Sequence, residues 1–175
     1  TFVPITFSRF ANNKVDAAVA RINFWADGET PLVGVSTPGD GYGPPSSDYL
    51  TNSELSALFA GSSNKIPVQK YGRTTGFTQG TITSINTTVI VGYARGSARF
   101  VNQIVVESSN AFILPGDSGS LLVTQDGNLP AGLLFAGNSS GTYALANRIE
   151  DVLTVLGNRL RSTLAIDDGT STDGP

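Results

Sequence analysis

The sequence of 175 residues contains no histidine, no cysteine and no methionine. Without cysteine the chain has neither a disulfide framework nor a thiolate metal site, and bacterial cytoplasm and secretion are both compatible with it. Without histidine it lacks the commonest metal ligand and the commonest general base of enzymes. Any acid–base mechanism therefore needs a base of another residue type, or one from another polypeptide.

Charge and long apolar runs are also scarce. Charged residues make up 14% of the chain, the net charge is −3, and the eleven basic residues are scattered. This pattern argues against a nucleic-acid-binding surface, which needs clustered lysine and arginine. No apolar run reaches the roughly 18 residues of a membrane-spanning helix. We therefore expect no nucleic acid and no membrane as partner, and no motif indicates a cofactor or a metal.

The twenty glycines and nine prolines, together with many β-branched residues, indicate short strands joined by tight turns. Such segments, separated by glycine and asparagine, are Ile66–Tyr71, Gly76–Thr83, Thr88–Tyr93, Phe100–Val106, Gly119–Thr124, Ala131–Ala136 and Thr142–Ala146. A further buried strand is predicted over Val15–Ile22, and residues 26–48 are predicted to form a long loop. About six closely spaced strands in the second half of the chain predict a small β-barrel.

Two helices are predicted beside the strands. Thr51-Asn52-Ser53-Glu54 resembles a capping box that opens a short helix, which Gly61 closes. The apolar residues from Ile149 to Leu156 fall at helical spacing. Asn147 is the predicted N-cap of this second helix, and Gly157 lies near its end.

The segment Gly116-Asp117-Ser118-Gly119-Ser120 is the strongest chemical motif. A serine hydroxyl becomes a nucleophile only when a base accepts its proton and donors stabilise the oxyanion. The flanking glycines leave space for a substrate carbonyl, and the turn can direct the amides of Gly116 and Ser118 at one point. A simple β-turn is the alternative. The preceding Pro115 and the strand that follows favour Ser118 as a nucleophile. An α/β-hydrolase elbow is excluded because Ser120 stands where that motif needs glycine.

This motif, followed by a strand, a turn and Pro130–Gly137, is similar to the second barrel of chymotrypsin-fold, trypsin-like serine peptidases of bacterial type. The segment Val68–Gly80 is similar to the opening of that barrel, and the resemblance covers residues 12–162. It implies an all-β fold, a six-stranded antiparallel barrel with a C-terminal α-helix, and a first barrel mostly absent from this chain.

The resemblance also divides the chain into four parts. Residues 1–25 would be a remnant of the first barrel that carries the aspartate of the catalytic triad. Residues 26–65 would connect the barrels and include a short helix. Residues 66–162 would form the second barrel and the C-terminal helix, and residues 163–175 a tail.

Asp16 is the triad acid that the resemblance implies. In this family the triad aspartate begins a small apolar stretch, and Asp16-Ala17-Ala18-Val19 is similar to it. Its role would be to orient a histidine and to stabilise the imidazolium ion. A solvated aspartate at the end of a strand is the alternative.

The family's histidine lies upstream of this aspartate and would therefore precede Thr1. The resemblance implies a serine endopeptidase acting through an acyl-enzyme, of which this chain is a processed or truncated C-terminal fragment. A peptide or protein would be the substrate, and a separate N-terminal fragment carrying the histidine would be the partner. Alone, the chain should be nearly inactive, because losing a triad histidine costs on the order of 10⁶ in rate.

Three further expectations stay open at this stage. The chain is alternatively a non-catalytic, protease-like binding or structural module. A serine–lysine pair with Lys14, Lys65 or Lys70 has no recognisable motif behind it. Because a missing barrel would expose apolar surface, we expect residues 1–25 to pair with another polypeptide or with a symmetry-related copy.

The resemblance implies substrate-binding residues as well. Phe112, six residues before Ser118, would lie at the base of the primary pocket, where an aromatic residue argues against preference for lysine or arginine. Phe135, Ala136 and Gly137 would pair with the substrate backbone by β-addition. Core packing is the alternative for Phe112 and Phe135. Asp117 would accept backbone amides near the oxyanion hole or form an ion pair, with Arg73 or Arg99 as its partner.

Overall fold

The computed structural model describes residues 1–19 and 37–168. Within these residues the chain forms two helices and six strands: α1 (Asn52–Gly61), β1 (Ile66–Gly72), β2 (Gly76–Tyr93), β3 (Gly96–Glu107), β4 (Leu121–Thr124), β5 (Pro130–Gly137), β6 (Tyr143–Arg148) and α2 (Ile149–Leu160). Neither helix has the length and apolar character that crossing a bilayer requires.

The six strands close into a barrel in the order β1-β2-β3-β6-β5-β4, and every neighbouring pair is antiparallel. This arrangement confirms the predicted six-stranded barrel with a C-terminal helix. Its interior is filled by aliphatic and aromatic side chains that are almost entirely buried, among them Val68, Ile82, Ile104, Val106, Phe112, Leu122 and Leu134. Burial of these side chains is the main force that holds the barrel together.

The long strand β2 replaces two predicted strands. Gly76–Thr83 and Thr88–Tyr93 were expected to be separate, but the chain stays extended through Asn86 and Thr87. The pairing of β2 with β3 shifts register between Ile82 and Val89, which absorbs the polar residues as bulges instead of a turn. As a result, the β2–β3 hairpin is long and carries Tyr93 at its tip, opposite Gly96.

Strand β4 begins at Leu121 and not at Gly119 as predicted. Gly119 has a positive φ of 90°, and the amide of Ser120 donates to the carbonyl of Asp117 at 3.0 Å. Both residues therefore belong to the turn that carries Ser118, and the strand starts only after that turn is complete.

The two helices were predicted in the right places, but only one cap was. Thr51 and Glu54 form the capping box at the start of α1. At α2 the N-cap position is held by Arg148, which makes no side-chain capping hydrogen bond. The prediction of Asn147 as the cap is wrong because this residue lies in β6, fully buried, and uses its amide in other contacts.

Residues 1–19 lie against the barrel with little regular structure. They form only two isolated bridges in the described chain, Phe2 with Ala18 and Asn13 with Phe100. Val15 and Ala17 are buried against α2 and form a second, small core with Val152 and Leu156. The strand predicted over residues 15–22 is absent from its described part, and residues 20–22 lie outside the described residues, as does most of the predicted loop at 26–48.

Candidate active site

Ser118 lies in an exposed turn between Leu114 and β4, directly beside β5. Its hydroxyl makes one long hydrogen bond, at 3.4 Å, to the carbonyl of Phe135. The backbone amides of Gly116 and Ser118 have no acceptor among the described residues. The turn therefore exposes the hydroxyl of Ser118 and leaves these two amides without a partner among the described residues.

The backbone of this turn requires glycine at position 116. Gly116 has a φ of +107°, which L side chains rarely adopt. A Cβ atom there would lie 2.4 Å from the Thr74 hydroxyl and 2.7 Å from the Arg73 guanidinium. Gly116 therefore supplies both the conformation and the close approach that the turn needs.

Asp117 holds the turn from inside. Its fully buried carboxylate accepts hydrogen bonds from the amides of Leu114 at 2.9 Å, Thr74 at 2.7 Å and Thr75 at 3.2 Å, and from the Thr75 hydroxyl at 2.8 Å. Burial alone would raise the pKa of Asp117, but these hydrogen bonds outweigh it and hold the pKa at about 2. The carboxylate is therefore charged at neutral pH.

The cation beside Asp117 is Lys70, at 3.6 Å and equally buried, and not Arg73 or Arg99 as predicted. Burial lowers the pKa of Lys70, and the charge of Asp117 opposes that shift. The ammonium also donates to the Thr75 hydroxyl and to the carbonyl of Gly76. Arg99 instead donates to Ala11 and Asn12 in the N-terminal segment.

Asp16 lies in the N-terminal segment and is fixed by two contacts from the barrel. The hydroxyl of Tyr93 donates to Oδ2 of its carboxylate at 2.6 Å. Its backbone amide donates to the side-chain oxygen of Asn147 at 3.0 Å. Burial, followed by the hydrogen bond and the negative charge of Asp16, raises the pKa of Tyr93 far above its ordinary value, so this phenol stays protonated.

Asp16 and Ser118, which are distant in the sequence, line the same open cavity of about 800 Å³. Its other walls come from residues 2–7, the tip of the β2–β3 hairpin and β5, including Phe7, Tyr93, Arg95 and Phe135. None of the lysines weighed as a base lines it. Lys70 is committed to Asp117, and Lys65 lines a different cavity. The cavity joins a hydroxyl and a carboxylate without a lysine or histidine between them.

The residues predicted to bind substrate lie in different surroundings. Phe112 is fully buried, with Lys70 over its ring at 5.9 Å. Phe135 lines the cavity with Ser118, and its ring meets that of Phe100 at a tilt of 47°, with centroids 5.0 Å apart. Ala136 and Gly137 continue β5 beyond Phe135 and do not line this cavity. Their roles toward a substrate remain predictions.

Three residues that support this site were not predicted from the sequence. Lys70 was considered only as a base, and Tyr93 was not singled out. Gln103, which donates to the carbonyl of Lys14 at 3.0 Å and accepts from Asn147 at 2.7 Å, was not singled out either. A lysine at the centre of a strongly β-forming segment was the one available signal, because a charge on a buried strand face needs a partner. No local pattern marks Tyr93 or Gln103, since their partners lie in a distant part of the chain.

The described residues show no metal centre. Residues 1–19 and 37–168 contain no group of three or more acidic side chains arranged to hold a metal ion.

Comparison with known proteins gives a family and a fold. The sequence model of peptidase family S64 matches residues 4–140. A solved glutamic acid-specific serine protease, described as using a histidine triad in substrate binding, is 20% identical with a TM-score of 0.53, and the match covers 82% of this chain and 64% of that one. The comparison with curated proteins found no match.

Two further solved structures resemble this chain. Chymotrypsin from Cellulomonas bogoriensis is 27% identical with a TM-score of 0.44, over 59% of this chain and 50% of that one. A Nocardiopsis protease is 21% identical with a TM-score of 0.48, over 69% and 55%. This chain thus spans between half and two thirds of the length of these three proteins.

Proposed function

Because this chain belongs to peptidase family S64, we propose that it forms the larger part of a serine endopeptidase. Ser118 is the proposed nucleophile, Asp16 the proposed triad acid, and a histidine from outside this chain the proposed base. The observation that carries the proposal is the cavity that Asp16 and Ser118 line together, although they lie on separate parts of the chain.

In the proposed reaction the Ser118 hydroxyl attacks the carbonyl carbon of the scissile peptide bond while the histidine accepts its proton. The amides of Gly116 and Ser118 donate to the oxyanion of the tetrahedral intermediate. The intermediate collapses as the histidine returns the proton to the leaving amine, which gives an acyl-enzyme. Water then attacks the acyl-enzyme through the same steps of proton transfer, which releases the carboxylic acid product and restores the Ser118 hydroxyl. Asp16 keeps the imidazole oriented and stabilises its charged form.

The proposed partner is a separate polypeptide that carries this histidine. The space between Asp16 and Ser118 supports this assignment, because the residues that line it include neither histidine nor lysine. The neighbouring N-terminal segment exposes Phe2 and Phe10, at 66% and 93% of their surface, which supports an apolar contact there. Peptides or proteins are the proposed substrates, because the family is one of peptidases.

Substrate recognition is proposed to use the outer part of β5. Phe135, Ala136 and Gly137 would offer backbone groups to an extended peptide, next to the hydroxyl of Ser118. Phe112 would form the floor of the primary pocket, and its aromatic ring, with Lys70 beneath it, disfavours a cationic side chain.

A non-catalytic, protease-like module is the second candidate function, and the absence of histidine from all 175 residues favours it. The coding sequence upstream of Thr1 discriminates between the two candidates. A histidine segment there of the kind that chymotrypsin-fold peptidases carry would support the enzyme hypothesis, and its absence would refute that hypothesis.

The enzyme hypothesis is tested on this chain co-purified with the histidine-bearing polypeptide, using a library of fluorogenic peptides. We expect Ser118→Ala to reduce kcat by about 10⁶, the loss typical of a triad serine. The matched control is Ser56→Ala, which removes an exposed serine hydroxyl on α1. Equal hydrolysis by the two variants would refute Ser118 as the nucleophile.

A further inference from the structure

Tyr93 and Asp16 form a short hydrogen bond across the boundary between the hairpin and the N-terminal segment. The two oxygens lie 2.6 Å apart, at the short end of the range for hydroxyl donors and typical of a charged acceptor. The other carboxylate oxygen, Oδ1, has no donor among the described residues. Asp16 is therefore asymmetric, with one oxygen held and the other open.

The ring of Tyr93 is packed so that its hydroxyl has little freedom to leave Asp16. Phe7 meets the ring edge-on, with centroids 5.7 Å apart and planes at 82°. The centroid of the Phe100 ring lies 6.4 Å from that of Tyr93, with the planes tilted by 41°. Aromatic contacts of this kind favour one orientation of the ring. The phenol is also a lasting donor, because burial and Asp16 raise its pKa.

The backbone of Asp16 is fixed independently by two buried amides. Asn147 accepts from the Asp16 amide at 3.0 Å and donates to Gln103 at 2.7 Å. Gln103 in turn donates to the carbonyl of Lys14 at 3.0 Å. Both amides are almost completely buried, so breaking one of these hydrogen bonds would leave a buried polar group unpaired. Main chain and carboxylate are thus anchored at separate points.

We propose that Tyr93 is a positioning residue, which holds Oδ2 of Asp16 so that Oδ1 is the oxygen presented to the Nδ1–H group of the catalytic histidine. This inference rests on the proposed function of the chain as a serine endopeptidase. Its physical basis is that a triad carboxylate acts by orientation, and a carboxylate free to rotate presents either oxygen. Among the described residues that line the cavity, Arg95 is the charged group besides Asp16.

The test compares Tyr93→Phe with the parent in the assembled protein, this chain with its histidine-bearing partner. Phenylalanine keeps the ring contacts with Phe7 and Phe100 and removes only the hydroxyl. We expect kcat to fall about 10- to 100-fold, as for a lost hydrogen bond to a charged group, with KM changed less than about 2-fold. The control is Tyr49→Phe, which removes a hydroxyl remote from the cavity.

The pH profile separates positioning from a structural role. Without the Tyr93 hydroxyl, more of the negative charge of Asp16 acts on the imidazolium, so the pKa of the histidine should rise. The acidic limb of kcat/KM should then move to higher pH by up to about one unit. Incorporation of 3-fluorotyrosine at position 93 keeps the hydroxyl donor. It should restore kcat and return the acidic limb of kcat/KM to its parental position.

The contact itself is measured on this chain alone, through the ¹³Cζ resonance of Tyr93 during a pH titration. We expect Tyr93 to titrate at a higher pH than an ordinary tyrosine, and at a lower pH in Asp16→Asn than in the parent chain. Ordinary titration in the parent chain would overturn the inference.

Measurements on the assembled protein distinguish a failure of the positioning role of Tyr93 from a failure of the proposed endopeptidase function. If it hydrolyses peptides but Tyr93→Phe keeps the parental kcat and pH profile, the positioning role is refuted and the enzyme stands. If the parent itself neither hydrolyses peptides nor labels with a fluorophosphonate, the proposed function fails, and the positioning role fails with it.

Discussion

The two sides of the candidate site are built in different ways. Ser118 lies in a turn of the closed barrel, and the buried carboxylate of Asp117 holds that turn with four hydrogen bonds and an ion pair. Asp16 lies in a segment that meets the rest of the chain through one isolated bridge, three backbone hydrogen bonds with residues 99 and 101, a small apolar core and several side-chain hydrogen bonds.

This difference indicates where each half of the geometry comes from. The conformation around Ser118 is a property of the barrel and should survive without a partner. The position of Asp16 depends on fewer contacts, chiefly its hydrogen bonds with Tyr93 and Asn147.

Replacing Asp117 should destabilise the barrel most. Asp117→Ala removes the counter-ion of the buried Lys70 ammonium and the shared acceptor of the Leu114, Thr74 and Thr75 amides, which should lower the free energy of unfolding by about 3–5 kcal/mol. Lys70→Met should cost less, because Asp117 keeps its hydrogen bonds to Leu114, Thr74 and Thr75. Urea unfolding followed by circular dichroism measures both. An equal or larger loss in Lys70→Met would contradict the role given to Asp117.

Gly116→Ala should reduce kcat more than it reduces the stability of the fold. A Cβ atom at a φ of +107°, 2.4 Å from the Thr74 hydroxyl, forces the turn to shift and the proposed oxyanion amides with it. We expect about a 10²- to 10³-fold loss in kcat of the assembled protein. Gly92→Ala is the control, because nothing lies within 4 Å of its added Cβ. Parental kcat in Gly116→Ala would exclude these amides as the oxyanion hole.

Asn147→Leu should increase local opening of the segment around Asp16 and leave the turn of Ser118 and the following strand unchanged. It removes the acceptor of the Asp16 amide and the partner of Gln103, at a cost of about 1–3 kcal/mol. Hydrogen exchange should quicken at residues 14–17 and stay slow at 121–124. Asn110→Leu, at an exposed position, controls for the substitution itself. Uniform acceleration across the barrel would mean that the two sides are one cooperative unit.

The free energy of unfolding of the barrel should fall at acid pH, because Asp117 becomes protonated. Its pKa is lowered in the folded protein to about 2, so its contribution is present above the unfolded pKa and lost as the pH falls through the folded one. We expect about 2 kcal/mol to disappear between roughly pH 4 and pH 2. Urea midpoints against pH measure this, with Asp117→Asn as the comparison. The same slope in both proteins would assign the acid sensitivity to other carboxylates.

The sequence was sufficient for the parts of this structure that local chemistry determines. β-branched segments between glycines predicted the barrel strands, and Thr51 with Glu54 predicted the start of α1. The glycines around Ser118 predicted a tight turn, which the positive φ of Gly116 and Gly119 confirms. In each case the residues that determine the conformation are neighbours in the chain.

Long-range contacts account for what could not be predicted. Asn147 has the composition of a helix cap, yet tertiary contacts place it in β6 with its amide between Asp16 and Gln103. Asn86 and Thr87 suggested a turn, but pairing with β3 keeps them in a strand with shifted register. Lys70 has its partner 47 positions away in Asp117. Residue type alone does not reveal such partners.

Fluorophosphonate labelling tests most directly whether Ser118 is a nucleophile that needs a base from another polypeptide. The adduct is measured by denaturing mass spectrometry, for this chain alone and for its assembly with a histidine-bearing polypeptide. We expect an adduct on Ser118 in the assembly, almost none in the isolated chain, and none in Ser118→Ala. Equally rapid labelling of the isolated chain would show that it contains its own base. An assembly that does not label would show that this fold serves binding and not catalysis.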